Sequence, residues 1–484
     1  MGKQLCFLLL TLFAFQVNAQ QERSPCISVF NALEDSTEST FKVSITPQRL
    51  GIAFTSDKSR AIPTGFLVAG AHIKKKRWQC DILLEALQDG STFLRRAIEA
   101  GWDRRSQSGL LATRWRGRWQ WAPLESLQIV IGRDTLSEGW GIRSLFRGRH
   151  AAPAPFAQIN LDDGGRLRYH HRIELLQDRQ HMGCWMGAIG DPRTWIPPSG
   201  FLRSEIQKMM VTHRLEVDFG KRLTGALWGA VIWNSENGQR VFEPHYLLPL
   251  TSLRPTEYAQ GSSDNALVGL EGRIKLGRKW ERRPRMLYGQ FLLDELIVEE
   301  LLGATGWWGN KFSLLGGIQW DTRWGGWRWE ISAARPWTYS HYTSNATYTH
   351  GITPLAHPLG ANFIETTWNG RWQKSVWKIE AHFTASVRGD DPIGDAPTGS
   401  MPQIGDIQKT EERYSWLNGA LRKRSVAFLD IAKKIRLLDS FSAQVFFQTA
   451  LGWESGSLDN LSPANELRIG LGLRSSGPFF GADW

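Results

Sequence analysis

After its first residues the chain has no run long and apolar enough to cross a bilayer as a helix. Helical membrane proteins are thereby excluded, while barrels are not, because barrel strands are half polar. Cysteine is scarce, four in 484 residues. One of them, Cys6, lies inside the apolar leader, which leaves Cys26, Cys80 and Cys184. An odd number with no metal-ligand spacing excludes a disulfide scaffold and offers no metal site. Also missing are a Gly-x-Ser-x-Gly elbow, a His-Glu-x-x-His pair and a glycine loop for phosphate. The expectation is a non-enzyme without a cofactor.

Residues 1–19 read as a secretory signal. Lys3 supplies the positive start, Leu5 to Val17 the apolar core, and Val17-Asn18-Ala19 the cleavage site. Cys6 is not placed as a lipoprotein cysteine would be. The formal charge of +11 becomes +10 on cleavage, because that segment holds one Lys and no acid. A basic chain suggests an anionic partner. Export argues against nucleic acid; lipopolysaccharide or acidic surface polysaccharide suits the compartment better. The same cations could equally line a wet lumen.

The most informative pattern lies near the C-terminus. Leu467, Ile469, Leu471 and Leu473 alternate with Glu466, Arg468, Gly470, Gly472 and Arg474. Trp377, Ile379, Ala381, Phe383, Ala385 and Val387 likewise alternate with Lys378, Glu380, His382, Thr384, Ser386 and Arg388. Around residue 270, Val268, Leu270, Ile274 and Leu276 oppose Glu271, Arg273 and Lys275. Period-2 alternation gives a strand one oily and one polar face. Repeated over segments of about 9–11 residues, it is what a closed barrel in lipid requires. The chain also carries 24 Trp, grouped near strand ends as an interfacial girdle would be.

The expected architecture is a closed antiparallel transmembrane β-barrel of the outer membrane with about 16–18 strands. Residues 20–40 form a short N-terminal periplasmic piece and 41–484 the barrel. Strands are expected near 266–277, 285–296, 311–321, 327–335, 361–372, 376–388, 418–431, 440–452 and 466–474. Less legible ones fall at 64–73, 109–119, 124–132, 166–175, 210–219 and 223–233. If the last strand returns to the periplasm, 244–265, 297–310, 336–360, 389–417 and 453–465 lie outside. The short connections 278–284, 322–326, 373–375 and 432–439 then lie inside. Pro153, Pro155, Pro197 and Pro198 mark loops able to fold into the lumen as a plug.

Several residue groups could carry function. Arg133, Arg143, Arg147 and Arg149 cluster in sequence around Trp140. Guanidinium groups grip carboxylates and phosphates, and an indole stacks on sugar rings, so one reading is contact with acidic polysaccharide. The other is an internal salt-bridge lattice with Asp134 and Glu138. His341, His350 and His357 share one outer loop, as do Asp390, Asp391, Asp395 and Asp406; loop structure explains both better than a metal or calcium site. Lys378, Glu380, His382, Arg388, Glu271, Arg273, Lys275, Arg468 and Arg474 should line the lumen. Their mixed signs suggest a narrow or filled interior rather than a strongly selective pore.

Some stretches resemble a known family. Leu287-Tyr288-Gly289-Gln290-Phe291-Leu292-Leu293-Asp294-Glu295, Gly306-Trp307-Trp308-Gly309-Asn310-Lys311 and Arg335-Pro336-Trp337-Thr338-Tyr339-Ser340-His341 look like the gliding motility RemB proteins of Bacteroidetes. So do Leu355 to Phe363, Asp264 to Leu267, and the ending Gly472-Leu473-Arg474. That family is similar in turn to the capsule assembly Wzi family, which Gly132-Arg133-Asp134, Gly139-Trp140-Gly141 and Ala152 to Phe156 also resemble. Arg147-Gly148-Arg149-His150 departs from its more acidic or amide-rich run. The resemblance implies a cell-surface barrel that assists attachment of capsular polysaccharide or works with gliding and adhesion proteins. Trp307, Trp308, Asn310, His341 and His357 are the family's outer-loop motif residues here. Composition and spacing alone stop at an outer-membrane barrel, for which a general diffusion porin is the alternative function.

Overall fold

The computed structural model describes residues 40–55, 62–89, 104–105, 111–179, 205–234, 243–247, 264–277, 285–342, 346–351, 353–391, 396–438, 441–456 and 464–475. The signal, residues 20–39, Cys26, Cys184, Pro197, Pro198 and Asp395 lie outside them.

Among the described residues one sheet holds nineteen strands. They begin with β1 (Thr40–Thr55), β2 (Ile62–Lys75), β3 (Trp78–Asp89), the two-residue β4 (Arg104–Arg105), β5 (Leu111–Leu124), β6 (Leu127–Asp134), β7 (Ala154–Asp162) and β8 (Leu167–Arg179). Next come β9 (Glu205–Phe219), β10 (Leu223–Asn234), β11 (Asn265–Leu276), β12 (Arg285–Glu295), β13 (Lys311–Thr322) and β14 (Gly325–Ala334). A separate hairpin, β15 (Thr349–His350) with β16 (Thr353–Pro354), sits in the following loop. The wall resumes with β17 (Phe363–Lys374), β18 (Trp377–Asp390), β19 (Ala420–Leu438), β20 (Phe441–Gly456) and β21 (Ala464–Ser475). Every neighbouring pair is antiparallel. β21 pairs with β1 through Leu50↔Leu473 and Ile52↔Leu471, so the sheet closes. Leaving aside β4, eighteen strands surround the lumen. Closure leaves no unpaired edge for lipid to meet.

The two faces follow the alternation. On β11, Leu270 is 54% exposed and its neighbour Glu271 only 5%. On β3, Leu84 and Glu85 differ in the same way, at 58% and 4%. Outward Leu, Ile and Trp form a belt that only acyl chains would cover, and inward Arg, Glu, Gln and Thr form a polar wall. Trp78 opposite Trp121, Trp320 opposite Trp327 and Trp329 opposite Trp368 make up part of the girdle at the short-turn end. An outward row of glycines crosses four strands in direct register: Gly225↔Gly272, Gly272↔Gly289 and Gly289↔Gly316. Leu223, Ile274, Leu287 and Ile318 flank that row on one side; Leu227, Leu270, Phe291 and Leu314 flank it on the other.

Connections sort by length between the two ends. Turns 76–77, 125–126, 323–324 and 375–376 lie at one end, while 135–153, 296–310, 335–362 and 391–419 lie at the other. Long loops mark the outside of a bacterial barrel and short turns the periplasm. Strand β19 runs to Leu438, well past the expected 431. Three strands escaped the pattern. β1 is broken by a bulge between Pro47 and Arg49, and β3 by the run Ile82-Leu83-Leu84. β7 contains Pro155, which the sequence alone marks as loop; it faces outward opposite Arg133.

Candidate functional site

The outer loops do not simply project. Segment 135–153, between β6 and β7, turns inward and runs along the inner wall, with Leu145, Phe146 and Arg147 fully buried. Its backbone is held by side chains of successive strands: Trp140 N–H donates to Glu271 (2.5 Å), Ile142 N–H to Glu330 (2.7 Å) and Leu145 N–H to Gln290 (3.0 Å). Its charged groups are met in turn. Arg143 pairs with Glu365 at 2.8 Å and Arg147 with Glu174 at 2.9 Å. Glu138 takes Arg172, the Trp228 indole N–H and His170. Burial by itself would raise the Glu138 pKa, but the Arg172 and His170 charges outweigh it and hold the carboxyl well below the usual range. Glu174, Glu271, Gln290, Glu330 and Glu365, from β8, β11, β12, β14 and β17, thus meet the segment along its path.

One apolar anchor fixes this segment. Phe146 stacks on Trp228 with ring centroids 5.0 Å apart and planes 4° from parallel. It lies over Gly269, where a Cβ would stand 2.4 Å from a Phe146 ring carbon. Glycine in a strand costs packing, and here the missing side chain makes room for the ring.

A second infolded loop, 335–362, packs over the first. Tyr339 and Tyr348 donate to the Leu145 and Phe146 carbonyls at 3.2 and 2.7 Å. Gly148 N–H donates to Leu355 O, and the His150 ring meets Pro354 O at 2.8 Å. Lys208, fully buried, donates to Thr347 and Thr349. The third loop, 391–419, closes against the second through Trp337 N–H to Gly399 O, Ala361 N–H to Ser400 O and Asp406 N–H to His341 O, and against β13 through Lys311 to Asp406 (2.5 Å).

Below the infolded loops Trp140 is gripped by arginines that sequence proximity does not suggest. Arg273 lies 4.4 Å and Arg214 5.4 Å from its ring centroid. Arg328 donates to its carbonyl. Arg214 pairs with Glu271 (2.6 Å) and Glu216 (3.0 Å), and Arg168 with Glu216 and Asp218. Among the described residues, buried N–H groups of Arg214 (Nη1) and Arg273 (Nε) find no acceptor.

The expected Trp140 cluster is corrected: the arginines over its ring are Arg214 and Arg273 rather than Arg133, Arg143, Arg147 and Arg149. Arg133 is outward on β6; its guanidinium stacks on the outward Trp115 (4.8 Å) and donates to Trp115 O (2.6 Å). The period-2 geometry that sends Asp134 inward sends Arg133 the other way. Arg143 and Arg147 enter a lattice, although with Glu365 and Glu174; Asp134 instead binds Arg116 and Arg118. Arg149 is exposed and reaches Ser137 (3.3 Å).

The motif residues of loops 296–310 and 335–362 have internal contacts. Asn310 accepts the Ile297 N–H, His357 is fully buried on Glu365 (3.0 Å), and the His341 carbonyl accepts Asp406 N–H. Trp308 lies between the Lys311 and Lys409 ammonium groups, at 4.9 and 4.6 Å, beside Trp307. His350 accepts the Gln177 N–H. The aspartates part company: Asp390 faces Arg388 and Arg422, Asp391 accepts from Thr398, Ser400 and Met401, and Asp406 binds Lys311. Of the expected lumen groups, Lys378 pairs with Glu380 (3.1 Å), His382 meets Asn369 and Thr384, and Arg474 grips Asp430 (2.6 Å). Arg468 is buried, and Lys275 is exposed at the periplasmic end of its strand. Phe146, Trp228 and Gly269 carried no signal, since nothing local in sequence links them.

No family model matches the chain, and no curated protein matches it. Among solved structures it is similar to Pseudomonas aeruginosa OprD, at 8% identity and a TM-score of 0.45, covering 90% of this chain and 94% of that one. It is also similar to OccK2 (OpdF) of the same organism, solved in complex with glucuronate, at 8% identity, TM-score 0.48 and coverage of 90% and 98%. A BenF-like porin from Pseudomonas fluorescens Pf-5 gives 7%, 0.48 and the same coverage. These likenesses concern the path of the chain alone. Its own closed antiparallel wall, oily belt and polar interior identify this protein as an outer-membrane β-barrel.

Proposed function

We propose that the protein is a diffusion porin whose lumen is narrowed by infolded loops and passes small hydrophilic solutes with little preference for either sign of ion. One observation carries this reading: on the periplasmic side of the infolded loops the inner wall is lined by charged groups that stay wet, the Arg168, Arg273 and Arg328 side chains keeping 30%, 27% and 30% of their surface open. Glu216, Asp218, Glu271 and Glu330 pair with the arginines of that wall, so neither sign dominates. The protein acts without catalysis. Planar-bilayer recording of the purified barrel tests this: ohmic conductance with a reversal potential near zero in a salt gradient is expected. Electrical silence would sink it.

The second reading, support of capsular polysaccharide attachment or gliding motility, draws on the RemB- and Wzi-like stretches. Deleting the gene and scoring colony spreading together with retained surface polymer tests it. Loss of either, with solute uptake unchanged, would favour this reading over the porin.

A further inference from the structure

The outer rim above β13 and β14 holds a positive charge without a counter-charge. Arg335 follows β14 and keeps its outward parity, opposite the outward Phe312. It is 7% exposed. Among the described residues no carboxylate lies within ion-pair distance, and its Nη2 reaches only the carbonyls of Gly306, Trp307 and Tyr414 at 3.2–3.5 Å. Its buried Nε–H has no acceptor among the described residues. Burial, with no compensating charge, pushes its pKa down. A buried guanidinium left in this state is costly unless an anion arrives.

The surroundings are oily and continuous with the lipid belt. The Phe312 and Trp416 rings lie over the guanidinium, 5.8 and 5.9 Å from it, and Phe291 sits beside Phe312. Trp416 is part-exposed, and below it Leu314 belongs to the belt. The short helix α2 (Val298–Leu302; α1 is Pro244–Leu247) lies in the β12–β13 loop whose Gly306 and Trp307 carbonyls meet Arg335, with Ile297, Val298, Leu301 and Leu302 all exposed, Leu302 at 81%. Free aliphatic groups beside a belt edge, with a lone cation at headgroup height, match an amphiphile with an acid head.

We propose that this rim is a docking site for an anionic glycolipid of the outer leaflet: Arg335 receives its phosphate, and Trp416, Leu301 and Leu302 receive its acyl chains. The site is on the outside of the wall, so it stands whether or not the lumen conducts.

The test titrates the folded, detergent-solubilised mature chain with bisphosphorylated lipid A and reads bound lipid by native mass spectrometry. The wild type should retain it at least about tenfold more tightly than R335Q, as expected for loss of a charge-assisted contact. R335K should recover part of the difference. Lipid A stripped of phosphate should bind wild type and R335Q alike, and inorganic phosphate should not saturate the site. The double variant L301N/L302N, altered only at exposed positions, should also bind more weakly and keeps the test open if R335Q fails to fold. Equal retention by wild type and L301N/L302N, equal retention by wild type and folded R335Q, or no dependence on the lipid's phosphates would each overturn the proposal.

Discussion

Replacing Gly269 with valine should release the constriction. A side chain there occupies the space of the Phe146 ring, so Phe146 must leave Trp228. Fully exposing a buried Phe costs about 1.5–3 kcal/mol. Losing the stacked pair adds about 0.5–1.5 kcal/mol. A central figure near 3 kcal/mol corresponds to roughly a hundredfold shift towards the undocked segment. The Arg143–Glu365 and Arg147–Glu174 pairs remain, so the segment should open locally while the barrel stays folded. Hydrogen exchange is the direct assay, because the amides of Trp140, Ile142 and Leu145 are protected only by side chains of the wall. They should exchange about two orders of magnitude faster in G269V, with strand amides unchanged. Single-channel conductance should rise in parallel. Unchanged exchange at these three amides would show that Phe146 is not the anchor.

Other expectations concern charge and burial. R147M should destabilise the barrel by about 1.5–3 kcal/mol, because buried Glu174 loses one of its two guanidinium partners and keeps only Arg172; the double change R147M/E174M should cost less. Thermal unfolding followed by heat-modifiable gel mobility checks both. L270R places a charge in the oily belt and should cost about 2–4 kcal/mol if near the bilayer midplane; a neutral result in liposomes would reverse the assignment of faces. His150 and His350 hold the two infolded loops together, and burial, with His357 beside the first and Arg147 and Lys208 beside the second, lowers each pKa to about 3. The unfolded imidazole takes its proton near pH 6.5 and the docked one does not, so docking is stable above that pH and weakens as pH falls from 6.5 towards 3. Amide exchange in 140–150 should accelerate over that window, and H150Q should flatten the change.

The wall was largely legible because a membrane barrel writes its geometry into every second residue. Leu467 to Leu473 and Trp377 to Val387 announce their strands without reference to anything distant. β7 hid because Pro155 can sit outward where other barrels keep aliphatic residues, and β1 because its bulge at Pro47 shifts the period. The interior resisted for a different reason. Trp140 stood out as an aromatic among arginines, yet the arginines it touches, Arg214 and Arg273, come from β9 and β11. Alternation says that a residue faces the lumen; it does not say which loop residue arrives opposite. The same limit concealed Gly269, indistinguishable in sequence from the glycines that face lipid, and it misassigned Arg133, whose neighbours in sequence face the other way.

The transverse row Gly225, Gly272, Gly289 and Gly316 has a mechanical meaning. Cross-strand side-chain contacts normally brace a sheet on both surfaces, and along this line the lipid-side brace is missing. Nothing lies within 4 Å of where a methyl would stand at Gly272 or Gly316. The wall is therefore least stiffened on its lipid side at Gly272 and Gly316, and that line should bend first when lateral pressure in the bilayer flattens the cylinder.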